Sequence, residues 1–330
     1  MRITTNTIIR NYGIGLNKSS TNLYKARNTV LSGRNFNTMS DDIGGSVMAF
    51  QLRREYSRTG DQLENLEEAY SRLQSVESSA LQINTMAQQV KQTILTGASD
   101  TSKDQRSILA TNLREIQKSM VLSANSTFGD KFVLNGANTR EVPFVLSDDG
   151  KSLTYRGIDV NTGDMNKLKQ LSNESLYVDL GFGLQEDATG KLITSSAFDM
   201  STPGINLLGY GNDANGNSKN IITLIGQLAS ELESDNFDQE KFQELSLAYE
   251  DSYKGLVNSI TQLGTKSNYL ANTKTHLEDV EATLNEKIVD LEDVDLAAAI
   301  TQFSWAQYAY NAALKVGNSV LSSSFIDFMN

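Results

Sequence analysis

The sequence lacks cysteine and has very little proline: its 330 residues include no cysteine and two prolines. Without cysteine the chain can form no disulfide, no thiolate zinc site and no cysteine nucleophile. Average usage of about 5% would give about sixteen prolines, and a proline inside a helix costs roughly 3 kcal/mol. Long uninterrupted helices are therefore permitted.

Positive charge is also scarce, because 29 Lys and Arg residues stand against 40 Asp and Glu, for a net charge of −11. Nucleic acids and anionic membranes are bound through clustered Lys and Arg, so neither is an expected partner. No stretch approaches the ~18 consecutive apolar residues that span a bilayer. Residues 1–7 are largely polar and lack the apolar core of a cleavable signal peptide, so we expect a protein that is soluble or exported by another route.

The N-terminal part has a helical pattern. Ile9, Leu16, Leu23 and Val30 recur every seven residues and form one stripe of a helix. A stretch rich in turn formers follows, and Ser40 or Asp41 is expected to cap the next helix. From residue 47 to about 96 the only glycine is Gly60, and apolar residues step by three and four, which predicts a long coiled-coil helix.

A second helix is predicted after Ser102, because Gln105 three residues later completes a capping box. Residues 132–219 then change to short alternating runs separated by turn pairs such as Asp149-Gly150, which predicts a small β-rich insert. Asp213, Asn215 and Asn217 alternate like a calcium loop, but the glycine is Gly216 and not the residue after Asn217, and Leu224 stands where the glutamate ligand is needed, so a polar loop is favoured.

The C-terminal part carries a second heptad pattern, with Leu277, Leu284, Leu291 and Trp305 on one row and Val294 and Tyr308 on the next. Each chain end thus has a single apolar stripe, and such a helix gains little stability without burial. We expect the two ends to pair with each other and with neighbouring subunits. These ten residues are the predicted assembly seam: Ile9, Leu16, Leu23, Val30, Leu277, Leu284, Leu291, Val294, Trp305 and Tyr308.

The predicted fold is mainly α: an elongated helical coiled-coil rod, formed by the N- and C-terminal segments, with a small β-rich inserted domain. Its parts are an N-terminal stalk helix (1–45), a long helical hairpin of the rod (46–131), the inserted outer domain (132–219), a returning rod helix (220–283) and a C-terminal stalk helix (284–330).

Two features invite a catalytic or cofactor interpretation. His276, the only histidine, lies beside Glu278 and Asp279 in a helical pattern, so we interpret it as solvated and not as part of a triad. Trp305, Tyr308 and Tyr310 have helical spacing, which is more typical of a packing face than of a cofactor site. We expect no catalytic residue, cofactor or metal site.

Several motifs resemble the bacterial flagellin family. Residues 31–42, LSGRNFNTMSDD, are similar to its signature turn, whose counterparts here are Gly33, Arg34, Asp41 and Asp42. Residues 126–136, STFGDKFVLNG, followed by Pro143-Phe144, resemble the start of the insert in the hook-associated branch of the family. Residues 178–184, 291–297 and 324–330 resemble further segments of that branch.

The resemblance implies a structural subunit of the bacterial flagellum and not an enzyme. Its expected function is to join the hook, through hook-associated protein 1, to the flagellin filament at the hook-filament junction; the alternative is flagellin itself. The implied partners are further copies of the chain, hook-associated protein 1, flagellin and a flagellar export chaperone. The implied location is the extracellular flagellum, reached through the flagellar type III secretion system without a cleaved signal peptide.

Overall fold

The computed structural model describes residues 5–99, 102–138, 140–180, 183, 185–187, 190, 193 and 197–326. The chain divides into two compact units: a terminal unit made of Met1–Asp61 and Glu278–Asn330, and a middle unit made of Gln62–Leu277. Parts of two of the motifs, residues 181–182, 184 and 327–330, lie outside the described residues.

Long helices dominate the chain. The helices are α1 (Thr5–Ser32), α2 (Ile43–Gly97), α3 (Lys103–Ala124), α4 (Met165–Ser172), α5 (Gly204–Leu208), α6 (Ile221–Glu233), α7 (Gln239–Glu292) and α8 (Leu296–Ile326). The strands are β1 (Thr127–Phe128), β2 (Lys131–Phe132), β3 (Phe144–Leu146), β4 (Leu153–Tyr155), β5 (Ile158–Asp159), β6 (Tyr177–Val178) and β7 (Phe198–Asp199). The prediction of a mainly α fold with a small β-containing region in its middle is confirmed.

Helix α3 begins with the predicted capping box. The Ser102 hydroxyl accepts a bond from the Gln105 amide (3.5 Å), and the Gln105 side chain accepts one from the Ser102 amide (3.2 Å). Two amides that the helix itself leaves unbonded are satisfied in this way.

The core of the middle unit lies between helices. Helix α3 packs against α6, and α6 is buried along most of its length. A helix that is apolar on all sides requires cover on all sides. The side chains of Ile83, Leu113 and Leu224 are fully buried in this core. Tyr249 is buried there as well, and its hydroxyl donates a hydrogen bond to the Ala87 carbonyl (2.8 Å).

The described residues between α3 and α6 form short strands. Its sheets are the antiparallel pair β1–β2, the antiparallel sheet β3–β4–β5 and the antiparallel pair β6–β7. Phe144 pairs with Tyr155 across β3 and β4, and the two rings are 4.9 Å apart. Arg156 and Gly157 form the two-residue turn between β4 and β5, with positive φ at both positions.

Leu277 belongs to a second, smaller core of the middle unit. It lies there with Leu66, Leu73, Leu180 and Leu270. None of the helices in the described part of the chain combines the length and the apolar character needed to cross a membrane.

Candidate functional site

The two ends of the chain pair within the terminal unit. Helix α1 packs against α8. Gly33 at the end of α1 bonds to Val294 just before α8, and Tyr12 near the start of α1 contacts Gly317 far along α8, so the pair is antiparallel. The expected pairing of the chain ends is therefore present in a single chain.

Each helix of the pair has one covered stripe, whose residues recur every three or four positions. Side chains at these positions are half-buried or buried, while most other side chains over residues 7–32 and 296–318 are exposed. The stripe of α1 is Tyr12, Leu16, Ser19, Leu23, Ala26 and Val30, and that of α8 is Ala299, Phe303, Ala306, Tyr310, Ala313 and Gly317.

The α8 stripe is made largely of small residues, which allows close approach. Gly317 is buried, and a Cβ atom added to it would collide with the Tyr12 ring. The absence of a side chain at Gly317 is therefore required for this contact.

The predicted seam residues separate into two groups. Leu16, Leu23 and Val30 lie on the α1 stripe, and Ile9 is 39% exposed. Trp305 and Tyr308 lie off the α8 stripe and are 70% and 75% exposed. The heptad row predicted to run from α7 through α8 is therefore not the face of α8 that contacts α1.

The physical reason is a break in the helix. Helix α7 ends at Glu292 and α8 begins at Leu296, so the heptad phase of α7 does not continue into α8. Before the break Leu284 is buried, while Leu291 and Val294 at the break are half-buried. After it the covered face begins at Ala299, and Trp305 faces outward beside an open groove of about 520 Å³.

The turn between α1 and α2 is set by local sequence. Gly33 ends α1 with φ of +69°, a left-handed conformation that favours glycine, and its amide donates to the Thr29 carbonyl (2.9 Å). Helix α2 is capped by Asp42, whose carboxylate accepts a bond from the Gly45 amide (3.0 Å). The predicted cap at Ser40 or Asp41 is therefore one or two residues too early.

Asp41 instead holds the interior of the turn. Its carboxylate accepts bonds from the Thr38 hydroxyl (2.8 Å) and the Thr38 amide (3.1 Å). These bonds hold the pKa of Asp41 below its usual value, and Lys25 lies 3.7 Å away as an exposed ion-pair partner. The two acids of the motif thus have different local functions.

This turn docks onto the break between α7 and α8. The Asn35 amide donates to the Glu292 carbonyl (2.7 Å), and its side-chain nitrogen donates to the carbonyls of Leu291 (3.1 Å) and Asp293 (2.9 Å). The Val294 amide donates to the Gly33 carbonyl (2.9 Å). The turn between α1 and α2 and the break between α7 and α8, more than two hundred residues apart in sequence, are therefore joined by backbone hydrogen bonds.

An ion-pair cluster lies at the same place. The buried Glu292 carboxylate accepts bonds from Nε (2.6 Å) and Nη2 of Arg53, and Arg34 lies 3.8 Å from it. The hydrogen bond from Arg53 is the main cause that lowers the pKa of Glu292, against the opposing effect of burial.

Asn35, Arg53, Glu292 and Gly317 are absent from the predicted site. One signal in the sequence could have indicated the break: Asp295 is a good N-cap residue, and its carboxylate accepts bonds from the Ala297 (2.8 Å) and Ala298 (3.3 Å) amides. No cluster of three or more His, Cys, Asp or Glu residues suited to a metal occurs among the residues that the structure describes.

We expect Gly317→Leu to weaken the pairing of α1 with α8, because the added side chain must displace the Tyr12 ring. Gly13→Leu is the matched control, since an added Cβ there meets nothing within 4 Å. Amide hydrogen exchange across α1 should be faster than wild type in Gly317→Leu, and no faster in Gly13→Leu. Equal protection of α1 in the two variants would show that the Tyr12 contact does not hold the pair.

The Glu292 cluster should make docking of the turn sensitive to acid. A carboxylate whose pKa is lowered from 4.5 by folding contributes its full stabilisation above that value. The contribution is lost as the pH falls through the lower folded pKa. The protection factors of the amides of residues 33–42, which are corrected for the slower intrinsic exchange at low pH, should therefore fall on acidification in wild type.

The Glu292→Gln variant is expected to start with weaker protection of the turn and to lose less of it on acidification. Glu286→Gln, at an exposed position of the same helix, should follow wild type. Identical pH profiles for Glu292→Gln and wild type would rule out the cluster as the acid-sensitive element.

Curated relatives match this chain over nearly its whole length. Flagellar hook-associated protein 3 of Salmonella typhimurium is 24% identical over 328 residues, covering 96% of this chain and 95% of the relative. Flagellar hook-associated protein 3 of Escherichia coli K12 is 23% identical over 325 residues, with the same coverage.

The fold is similar to a solved structure of a flagellar hook-associated protein from Vibrio parahaemolyticus. The TM-score is 0.59 at 18% identity, and the match covers 77% of this chain and 100% of the other. At this identity the similarity concerns the fold.

Two family models match the parts of the chain that contain the terminal helices. The bacterial flagellin N-terminal helical region matches residues 3–139, and the bacterial flagellin C-terminal helical region matches residues 248–322. The first match contains α1, the turn and α2, and the second contains the break and most of α8. Because these matches together span more than half of the sequence, the chain belongs to the bacterial flagellin family.

Proposed function

We propose that this chain is a structural subunit of the bacterial flagellum that joins the hook to the filament. The observation that carries the proposal is the length of the match to two proteins named flagellar hook-associated protein 3, which covers 96% of the chain. That match continues through residues 140–247, which neither flagellin model covers. The terminal helices are shared with flagellin, the alternative function, so the middle of the chain favours the junction.

The terminal unit has the surface expected of an assembling subunit. Among its described side chains, the buried apolar ones are Ala49, Leu284 and Ala299, which is a small core for so many helical residues. Burial of apolar surface contributes roughly 25 cal/mol per Å², so a unit with so few buried side chains gains little from its own core. Contacts with neighbouring molecules would supply the rest.

Large apolar side chains are available for those contacts. Several on both helices of the pair and at the start of α2 are more than one-third exposed. They include Ile14, Tyr24, Phe50, Ile300, Trp305 and Tyr308. We propose that they pack against other subunits in a head-to-tail helical arrangement, which does not close on a dimer.

The proposed partners follow from this position in the flagellum. Further copies of the chain would form the junction layer, hook-associated protein 1 would contact it on the hook side, and flagellin on the filament side. An export chaperone would cover the apolar terminal surface before delivery through the flagellar type III channel. A chain without cysteine is suited to this route, because no disulfide can oppose threading.

The proposed activity is mechanical coupling and not catalysis. Within the described residues His276 is an exposed residue of α7, as the sequence suggested, and Asp213 uses its carboxylate to hold the amides of Asn215 (2.9 Å) and Asn217 (2.8 Å). Neither arrangement pairs a nucleophile with a base. The proposal therefore includes no cofactor, and no partner that is a nucleic acid or a membrane.

Deletion of the gene in its motile host tests the proposal. We expect cells with hooks that lack filaments, together with flagellin shed into the medium, as seen by electron microscopy and by immunoblotting of cell and medium fractions. Complementation with the wild-type gene should restore filaments. If flagellin is absent from both fractions, the chain is the filament subunit itself.

Complementation of this deletion strain also tests the exposed aromatic residues. The double variant Trp305→Ser, Tyr308→Ser should be exported but should not restore filaments, because it loses apolar surface that is not part of the α1–α8 contact. Gln307→Ser, at an exposed polar position of the same helix, should restore them. Normal filaments from the double variant would exclude this face from the subunit contact.

A further inference from the structure

The break between α7 and α8 has no local stop signal. Helix α7 ends at Glu292, yet the sequence contains neither glycine nor proline between Gly264 and Gly317. Helix α1, in contrast, ends at a glycine in the left-handed conformation that commonly terminates helices. The α7–α8 break therefore needs another cause.

The carbonyls at the end of α7 are satisfied from a distant part of the chain. The last carbonyls of a helix have no partner within it and require one from elsewhere. Here Asn35 donates to three consecutive carbonyls, those of Leu291, Glu292 and Asp293. Its two side-chain bonds join residues that are 256 and 258 positions apart in sequence. Asn35 is thus a C-terminal cap for a helix to which it does not belong.

The other side of the break is encoded locally. Asp295 accepts bonds from the Ala297 and Ala298 amides and so marks the start of α8. The break therefore has a start signal in its own sequence and a stop signal that arrives only with the docked turn. Arg53 and Arg34 reinforce the docking, because both reach the Glu292 carboxylate.

We propose that the α7–α8 break is conditional and that docking of Asn35 imposes it. When the turn of residues 33–42 is not docked, α7 continues into α8 as one helix. The amides of residues 294–296 then bond to the carbonyls of residues 290–292, as in any α-helix. The N-terminal turn therefore controls whether the C-terminal helix is broken. This inference does not depend on the junction function.

Val294 reports on the two states. In the docked state its amide donates to the Gly33 carbonyl, whereas in the continuous helix it donates to Asp290. The full-length protein labelled with ¹³C-valine gives a Val294 Cα chemical shift that distinguishes helical from extended backbone, and the signal is assigned by its loss in Val294→Ile.

We expect Asn35→Ala to move the Val294 Cα shift into the helical range. Asn37→Ala is the matched control, because it removes the same side chain from the same turn without touching residues 291–293, and it should leave the shift at its wild-type value. A Val294 shift that is unchanged in Asn35→Ala, or that moves to random-coil values, overturns the proposal.

A second variant separates loss of the cap from a general loss of structure. Leu296 is the first residue of α8 and is 53% exposed, so proline fits there at little cost to packing. A proline at this position prevents a continuous helix because its ring clashes with the Glu292 carbonyl. The double variant Asn35→Ala, Leu296→Pro should return the Val294 shift from the helical range, and a shift that stays helical overturns the proposal.

Discussion

A helix with one apolar stripe is stable only when another surface covers that stripe, and both ends of this chain are such helices. The stripes of α1 and α8 meet although they lie at opposite ends of the sequence. Contacts this far apart in sequence require closure of a very long loop. The docked turn provides a second, polar connection at one end of the pair, so the apolar contact of the two helices is not their only link.

That polar connection concentrates several requirements on one short segment. Gly33 must end α1, Asp42 must begin α2, and Asn35 must reach the end of α7. The buried carboxylate of Glu292 is acceptable at a helix C-terminus, where negative charge is unfavourable, because Arg53 binds it directly. A change in any of these residues is therefore expected to affect both the turn between α1 and α2 and the break between α7 and α8.

The regular parts of the fold could be predicted from the sequence because their signals are local. Absence of proline and a three-and-four spacing are sufficient for α2, and Ser102 with Gln105 is sufficient for the start of α3. Of the break, only the start of α8 has such a local signal, in Asp295; the end of α7 at Glu292 could not be found in this way, because its stop signal is Asn35. The register of α8 was missed for the same reason: Trp305 continues the heptad of α7 in sequence, but the break places Ala299 and Gly317 on the covered face.

The arrangement of α8 also bears on why Trp305 and Tyr308 face outward. Small residues such as Ala306, Ala313 and Gly317 occupy the face toward α1, which lets the two helices approach closely but buries little area. Trp305 and Tyr308 are off that face, although aromatic side chains bury 150–250 Å² each when covered. These two side chains thus take no part in the contact of α8 with α1. Under the proposed function, neighbouring subunits would cover these side chains and add stability that the α1–α8 contact alone does not supply.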